Sequence, residues 1–166
     1  VFKGFYFDRL FDKSVLVFPD YFRYRFLNGD LYCFSPEYSG KFDLYIDTSS
    51  SMSSFVNVSG ISVSKLVYSV SAGIYLLSNM DLGDVYFFSS SVRKVEGDIL
   101  RALLTVSPAG GTDINKVLDN IKHTGRYSLV ITDGEISVNR YIDYSKVYFV
   151  FVGKKPFSFS YSYIVI

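Results

Sequence analysis

Phe42-Asp43-Leu44-Tyr45-Ile46-Asp47-Thr48-Ser49-Ser50-Ser51-Met52 is the stretch on which the fold turns. It opens with a largely apolar run of strand length, Phe42 to Ile46, and stops at a carboxylate followed by four hydroxyls. Two later segments carry the same chemistry: Gly110-Gly111-Thr112-Asp113, then Ile131-Thr132-Asp133-Gly134. Each sits at the end of, or just beyond, a segment with strand or helix patterning. Oxygen atoms far apart in sequence can therefore converge on one hard cation. Taken alone, the Asp47 segment reads equally well as a helix-capping turn, since hydroxyls after an Asp satisfy free backbone amides.

From residue 41 the pattern is strand–helix alternation. After the Asp47 loop a helical stretch is expected in which Leu66, Val70, Ile74 and Leu77 repeat at helical spacing. Val85 to Phe88 and Val92 to Val95 flank Ser89-Ser90-Ser91 as a strand pair. Ile99 to Val106 and Ile114 to Ile121 read as helices, the second with Ile114, Val117, Leu118 and Ile121 on one face. Leu129 to Thr132 and Val147 to Val152 are continuous apolar runs, as central parallel strands covered on both faces require. Phe157, Phe159, Tyr161 and Tyr163 alternate with serines, the pattern of a half-buried edge strand. The expected fold class is a Rossmann-like three-layer α/β/α domain over residues 41–166 with a mainly parallel sheet.

Residues 1–40 read as a β-rich extension packed on that domain. Phe22, Tyr24 and Phe26 alternate with Arg23 and Arg25, and Asn28-Gly29 offers the two positive-φ positions of a type I′ turn before Leu31 to Phe34. A hairpin with one apolar face follows, reading more naturally as an edge cover than as a binding surface.

Asp47, Ser49, Ser51, Thr112 and Asp133 together resemble the metal-ion-dependent adhesion site of the von Willebrand factor A (VWA) family, whose pattern is Asp-x-Ser-x-Ser, a later Thr and a still later Asp. Every position of the pattern is filled. The resemblance spans about residues 41 to 153 and is closest in style to compact intracellular bacterial and archaeal members. One departure is Ser50, where the family most often has Gly, which bears on loop flexibility more than on metal binding. By resemblance, Ser49, Ser51 and sometimes Thr112 bind the ion directly, Asp47 and Asp133 often act through water, and the two Asp-bearing strands are neighbours flanking one crevice. An all-oxygen donor set favours Mg²⁺ or Mn²⁺ over zinc.

The function this implies is a noncatalytic, divalent-metal-dependent protein-binding module. An open coordination position on the ion accepts an acidic residue of a protein partner. Intracellular VWA domains often work beside AAA-type ATPases or other remodelling complexes, so a partner of that kind is expected by analogy. Gly110-Gly111 gives the Thr112 loop freedom to approach or withdraw, and Asp113 suits a helix cap. Glu135 is near enough in sequence to reach the rim and occupy the open position from within.

Bulk properties exclude other classes. A net charge of +1 without a basic stripe gives no support to nucleic-acid binding. The longest apolar stretch, Ile61 to Leu77, is broken by Lys65 and several serines, which argues against a membrane span. Cys33 is the only cysteine and His123 the only histidine, so no internal disulfide, zinc site or Ser-His-Asp triad is available. His123 beside Thr124-Gly125 suits a helix end. No signal peptide is evident, and the chain begins with Val1 as a processed chain or excised piece would. The expectation is a cytoplasmic or viral protein. Absence of Gln and scarcity of Ala fit an A+T-rich archaeal or archaeal-virus genome, and few amides fit a hot environment.

Two alternatives have their own residues. A phosphoryl-transfer enzyme would use Asp47 as nucleophile and Mg²⁺ as Lewis acid, in the manner of haloacid dehalogenase phosphatases. Those carry a second Asp where this chain has Ser49, and no matching lysine is apparent. A structural or virion component would use the metal only to stabilise its fold.

Overall fold

In a computed structural model the described residues are 41–58, 60–79, 81–136 and 146–153, with the backbone of 163–165. The expected N-terminal extension, its Asn28-Gly29 hairpin and the alternation from Phe157 to Tyr161 lie outside them. Strand β1, Phe42–Asp47, is followed by a single 3-10 turn at Ser50–Ser53. Next come β2, Phe55–Val58, and β3, Ile61–Ser64, then helix α1, Lys65–Asn79. The order continues with β4 (Leu82–Phe88), β5 (Val92–Lys94), α2 (Ile99–Thr105), α3 (Ile114–Thr124), β6 (Tyr127–Thr132), β7 (Val147–Phe151) and β8 (Tyr163–Val165).

Six strands form one sheet in the order β5-β4-β1-β6-β7-β8. All neighbours are parallel except β5, which returns antiparallel beside β4. The central strands are apolar on both faces because both faces are covered. Leu44, Ile46, Leu129, Ile131, Val150 and Val152 point to one side, against Leu66, Val70 and Leu76 of α1 and Leu103 of α2. Tyr45, Val130, Phe149 and Phe151 point to the other, against Ile114, Val117, Leu118 and Ile121 of α3. The alternation of single residues along β1, β6 and β7 thus builds two cores from one sheet, and the layers are α/β/α.

Strand order reverses at the middle of this sheet. The connection leaving β1 runs to β4 on one side, whereas that leaving β6 runs to β7 on the other. A crevice for ligands lies beyond the carboxyl ends of β1 and β6. Asp47 is the last residue of β1, and Asp133 comes directly after β6.

Two details differ from the sequence reading. Rather than passing straight from the Asp47 loop to a helix, the chain inserts the antiparallel hairpin β2–β3, registered Phe55 with Ser64 and Val58 with Ile61. Gly60 turns it at φ 86°, and its amide donates to Asn57 Oδ1 at 2.9 Å. Val56, Val58 and Val63 pack against the first core, so the short strands gain burial that an isolated hairpin lacks. The apolar face of α1 is also rotated: Leu66 and Val70 are buried as expected, but Gly73 and Leu76 complete the stripe, with Ile74 and Leu77 only partly covered. Gly73 is needed there, because a Cβ would stand 2.9 Å from Ile46 Cδ1.

Candidate functional site

The loop after β1 is organised by Asp47 itself. Its Oδ1 accepts the amide of Ser49 at 2.8 Å, and its Oδ2 accepts the Thr132 hydroxyl at 2.6 Å. With 0% exposure, burial pushes the Asp47 carboxyl above the usual carboxylate range. The bonds from Thr132 and Ser49 oppose that rise, and the neighbouring Asp133 charge adds to it. Ser49 and Ser51 turn toward each other, with hydroxyl oxygens 3.0 Å apart. The 3-10 turn makes this possible: Met52 is wholly buried beneath it, and the amide of Met52 donates to the Ser49 carbonyl.

The facing loop is fastened to this one by the backbone. Ala109 donates its amide to the Thr48 carbonyl at 2.7 Å, and the amide of Ser50 donates to the Gly110 carbonyl at 2.9 Å. Gly110 takes φ 78°, a conformation glycine adopts freely. Thr112 follows two residues on, half-buried; among the described residues no hydrogen bond joins its side chain to the other four nominated residues. Asp113 caps α3 by accepting the Asn115 amide at 3.2 Å.

Asp133 is buried at the end of β6, with Gly134 at φ 81° turning the chain away. Its Oδ1 accepts the amide of Glu135, which is itself exposed. Its Oδ2 accepts from Lys65 Nζ at 2.9 Å. Lys65 was not among the residues the sequence reading nominated. Lys65 lies eighteen residues beyond Asp47, and only the inserted hairpin returns the chain to start α1 beside the crevice. Thr132 was likewise missed as a partner of Asp47. The β1–β6 register explains the meeting, since it pairs Ile46 with Ile131 and leaves the next residues side by side.

Four nominated residues, Asp47, Ser49, Ser51 and Asp133, therefore gather at the crevice, and the Thr112 loop is tied to its edge. All their donor atoms are oxygen, as a hard divalent cation prefers. Among the described residues no three His, Cys, Asp or Glu side chains cluster as a metal site, so an ion here would rest on two carboxylates and hydroxyl oxygens, with Lys65 standing on one of the carboxylates.

No family model matches the chain, and the search of curated proteins found no match. Among solved structures, the crystal structure of an aerotolerance-related membrane protein from Bacteroides fragilis NCTC 9343, with multiple mutations to serines, superposes with a TM-score of 0.53. The match covers 69% of this chain and 67% of that one at 19% identity, and so speaks for the fold alone. The fold is VWA-like. In this VWA-like domain no helix among the described residues is long and apolar enough to cross a membrane.

Proposed function

We propose that this VWA-like domain is a noncatalytic protein-interaction module that captures an acidic residue of a protein partner through a Mg²⁺ or Mn²⁺ ion held by Asp47, Ser49, Ser51, Thr112 and Asp133. The observation that carries this reading is the meeting of the Ser49 and Ser51 hydroxyls, 3.0 Å apart, on the loop organised by the buried Asp47, at the point where strand order reverses. When bound, the ion would supply an open coordination position at the crevice mouth, and the protein would supply its oxygen donors. The partner is proposed, by analogy, to be an AAA-type ATPase or a subunit of a remodelling complex.

The phosphoryl-transfer alternative would need a second Asp where this chain has Ser49.

The test is a metal titration with two variants. Mg²⁺ or Mn²⁺ should raise the melting temperature of the wild type, since an ion that binds only the folded state stabilises it by mass action. Asp47→Asn should abolish the shift. Thr112→Ala, which removes only a loop hydroxyl, should keep a weakened shift while losing EDTA-sensitive capture of the native partner. If wild type and both variants captured the partner equally in EDTA, recognition would have to lie on another surface.

A further inference from the structure

Lys65 is held in place from two directions. Its amide donates to the Ser54 carbonyl at 2.8 Å, closing the base of the β2–β3 hairpin. Its aliphatic stem runs past Gly153, where a Cβ would come 3.9 Å from Lys65 Cε. The ammonium ends on Asp133 Oδ2 with only 15% of the lysine side chain exposed and none of the aspartate's. In so dry a setting an ion pair is weakly screened, and an ammonium does for Asp133 what a divalent ion would: it neutralises a carboxylate that cannot reach bulk water. Two cations brought onto that same carboxylate repel strongly.

We infer that Lys65 is a tethered cation that competes with the divalent ion for Asp133. This rests on the metal reading proposed above and adds regulation to it. The domain then has two states. In the closed state, Lys65 holds Asp133 and the Ser49–Ser51 pair stands without an ion. In the loaded state, the ion takes Asp133 and the ammonium swings to the rim. The hairpin insertion sets the competition, because it fixes where α1 begins and therefore where the ammonium reaches. The apparent affinity for the divalent ion is then lowered in proportion to the fraction of protein in the closed state.

Calorimetric titration of the full chain with Mg²⁺, comparing wild type, Lys65→Met and Lys65→Arg, tests this. Removal of the competing charge should tighten Mg²⁺ binding by on the order of tenfold or more, while Lys65→Arg keeps the wild-type constant within a small factor. An independent readout uses the wild type alone. Acylation of Lys65 by an amine-reactive reagent, followed by mass spectrometry, should rise with Mg²⁺ at the midpoint of the calorimetric titration. Binding by Lys65→Met alone, with none by wild type, would be the strongest form of the expected result. Equal or weaker affinity in Lys65→Met would overturn the competition and leave the metal reading standing. If Lys65→Met fails to fold, labelling that stays flat while Mg²⁺ raises the wild-type melting temperature overturns it equally well. No binding to either protein would overturn both.

Discussion

Asp47 is where the chemistry of one residue reaches furthest. Its carboxyl is held above its ordinary range chiefly because it is buried, with Asp133 adding to the rise. The native state therefore binds that proton more tightly than the unfolded chain does, and by linkage stability falls as pH rises from the ordinary carboxylate range through the raised value. Asp47→Asn removes the charge while leaving an amide able to accept from Ser49 and donate to the Thr132 oxygen. Without metal, the variant should melt no lower than wild type near pH 7, and its advantage should grow with pH across that window. Thermal scans between acid and neutral pH check this. A variant that melted progressively lower than wild type as pH rose would mean that the ionised Asp47 is a net source of stability.

At the scale of elements, the end of the sheet opposite the crevice is tied by charge. Arg126, just before β6, reaches Asp43 Oδ1 and Asp84 Oδ2 at 3.2 Å each, and Lys94 of β5 meets Asp84 Oδ1 at 2.8 Å. Asp43 also accepts the Asp84 amide at 2.9 Å. Gly83 permits that approach, since a Cβ there would run into the Asp43 carboxylate. The hydrogen bond from Lys94, with the charges of Lys94 and Arg126, holds the Asp84 carboxyl below its ordinary range despite some desolvation. A lowered carboxylate contributes stability above its unfolded value and loses it as pH falls through the folded one. Asp84→Asn should therefore melt below wild type at neutral pH, with the gap closing in acid. A gap constant across pH would place the effect in packing rather than in charge. The same scale explains the hairpin: residues 55–64 alternate as strands do, yet the apolar run from Ile61 onward blends into α1 and hides the boundary. Only burial of Val56, Val58 and Val63 on the first core separates them.

For the molecule as a whole, stability resides in the two cores on either side of one sheet. Phe149 is fully buried in the second core, with its ring stacked on Phe151 at 5.8 Å. Phe149→Ala should cost about 3–5 kcal/mol, as large-to-small changes in packed interiors do. Phe55, on the outer face of the hairpin, is 70% exposed. Its truncation should move stability by no more than about 0.5 kcal/mol. Chemical denaturation of the two variants gives the comparison directly. If Phe55→Ala cost as much as Phe149→Ala, the outer face of the hairpin would be covered by further protein.

The sequence by itself determined the layering and the elements of the central sheet and its helices, though not the β2–β3 hairpin. Apolar runs too continuous for a half-exposed strand required a sheet covered on both sides, and the carboxylates at Asp47 and after Thr132 marked strand ends facing a common crevice. It also nominated the residues that now lie at that crevice, because side-chain type and order along the chain survive folding unchanged. Tertiary structure alone decided which groups meet. The pairing of Thr132 with Asp47 spans 85 positions and that of Lys65 with Asp133 spans 68. Contacts so distant depend on strand order and on where each helix begins. A hairpin with no strong boundary in its sequence moves the start of α1, and that displacement sets a lysine on the second carboxylate.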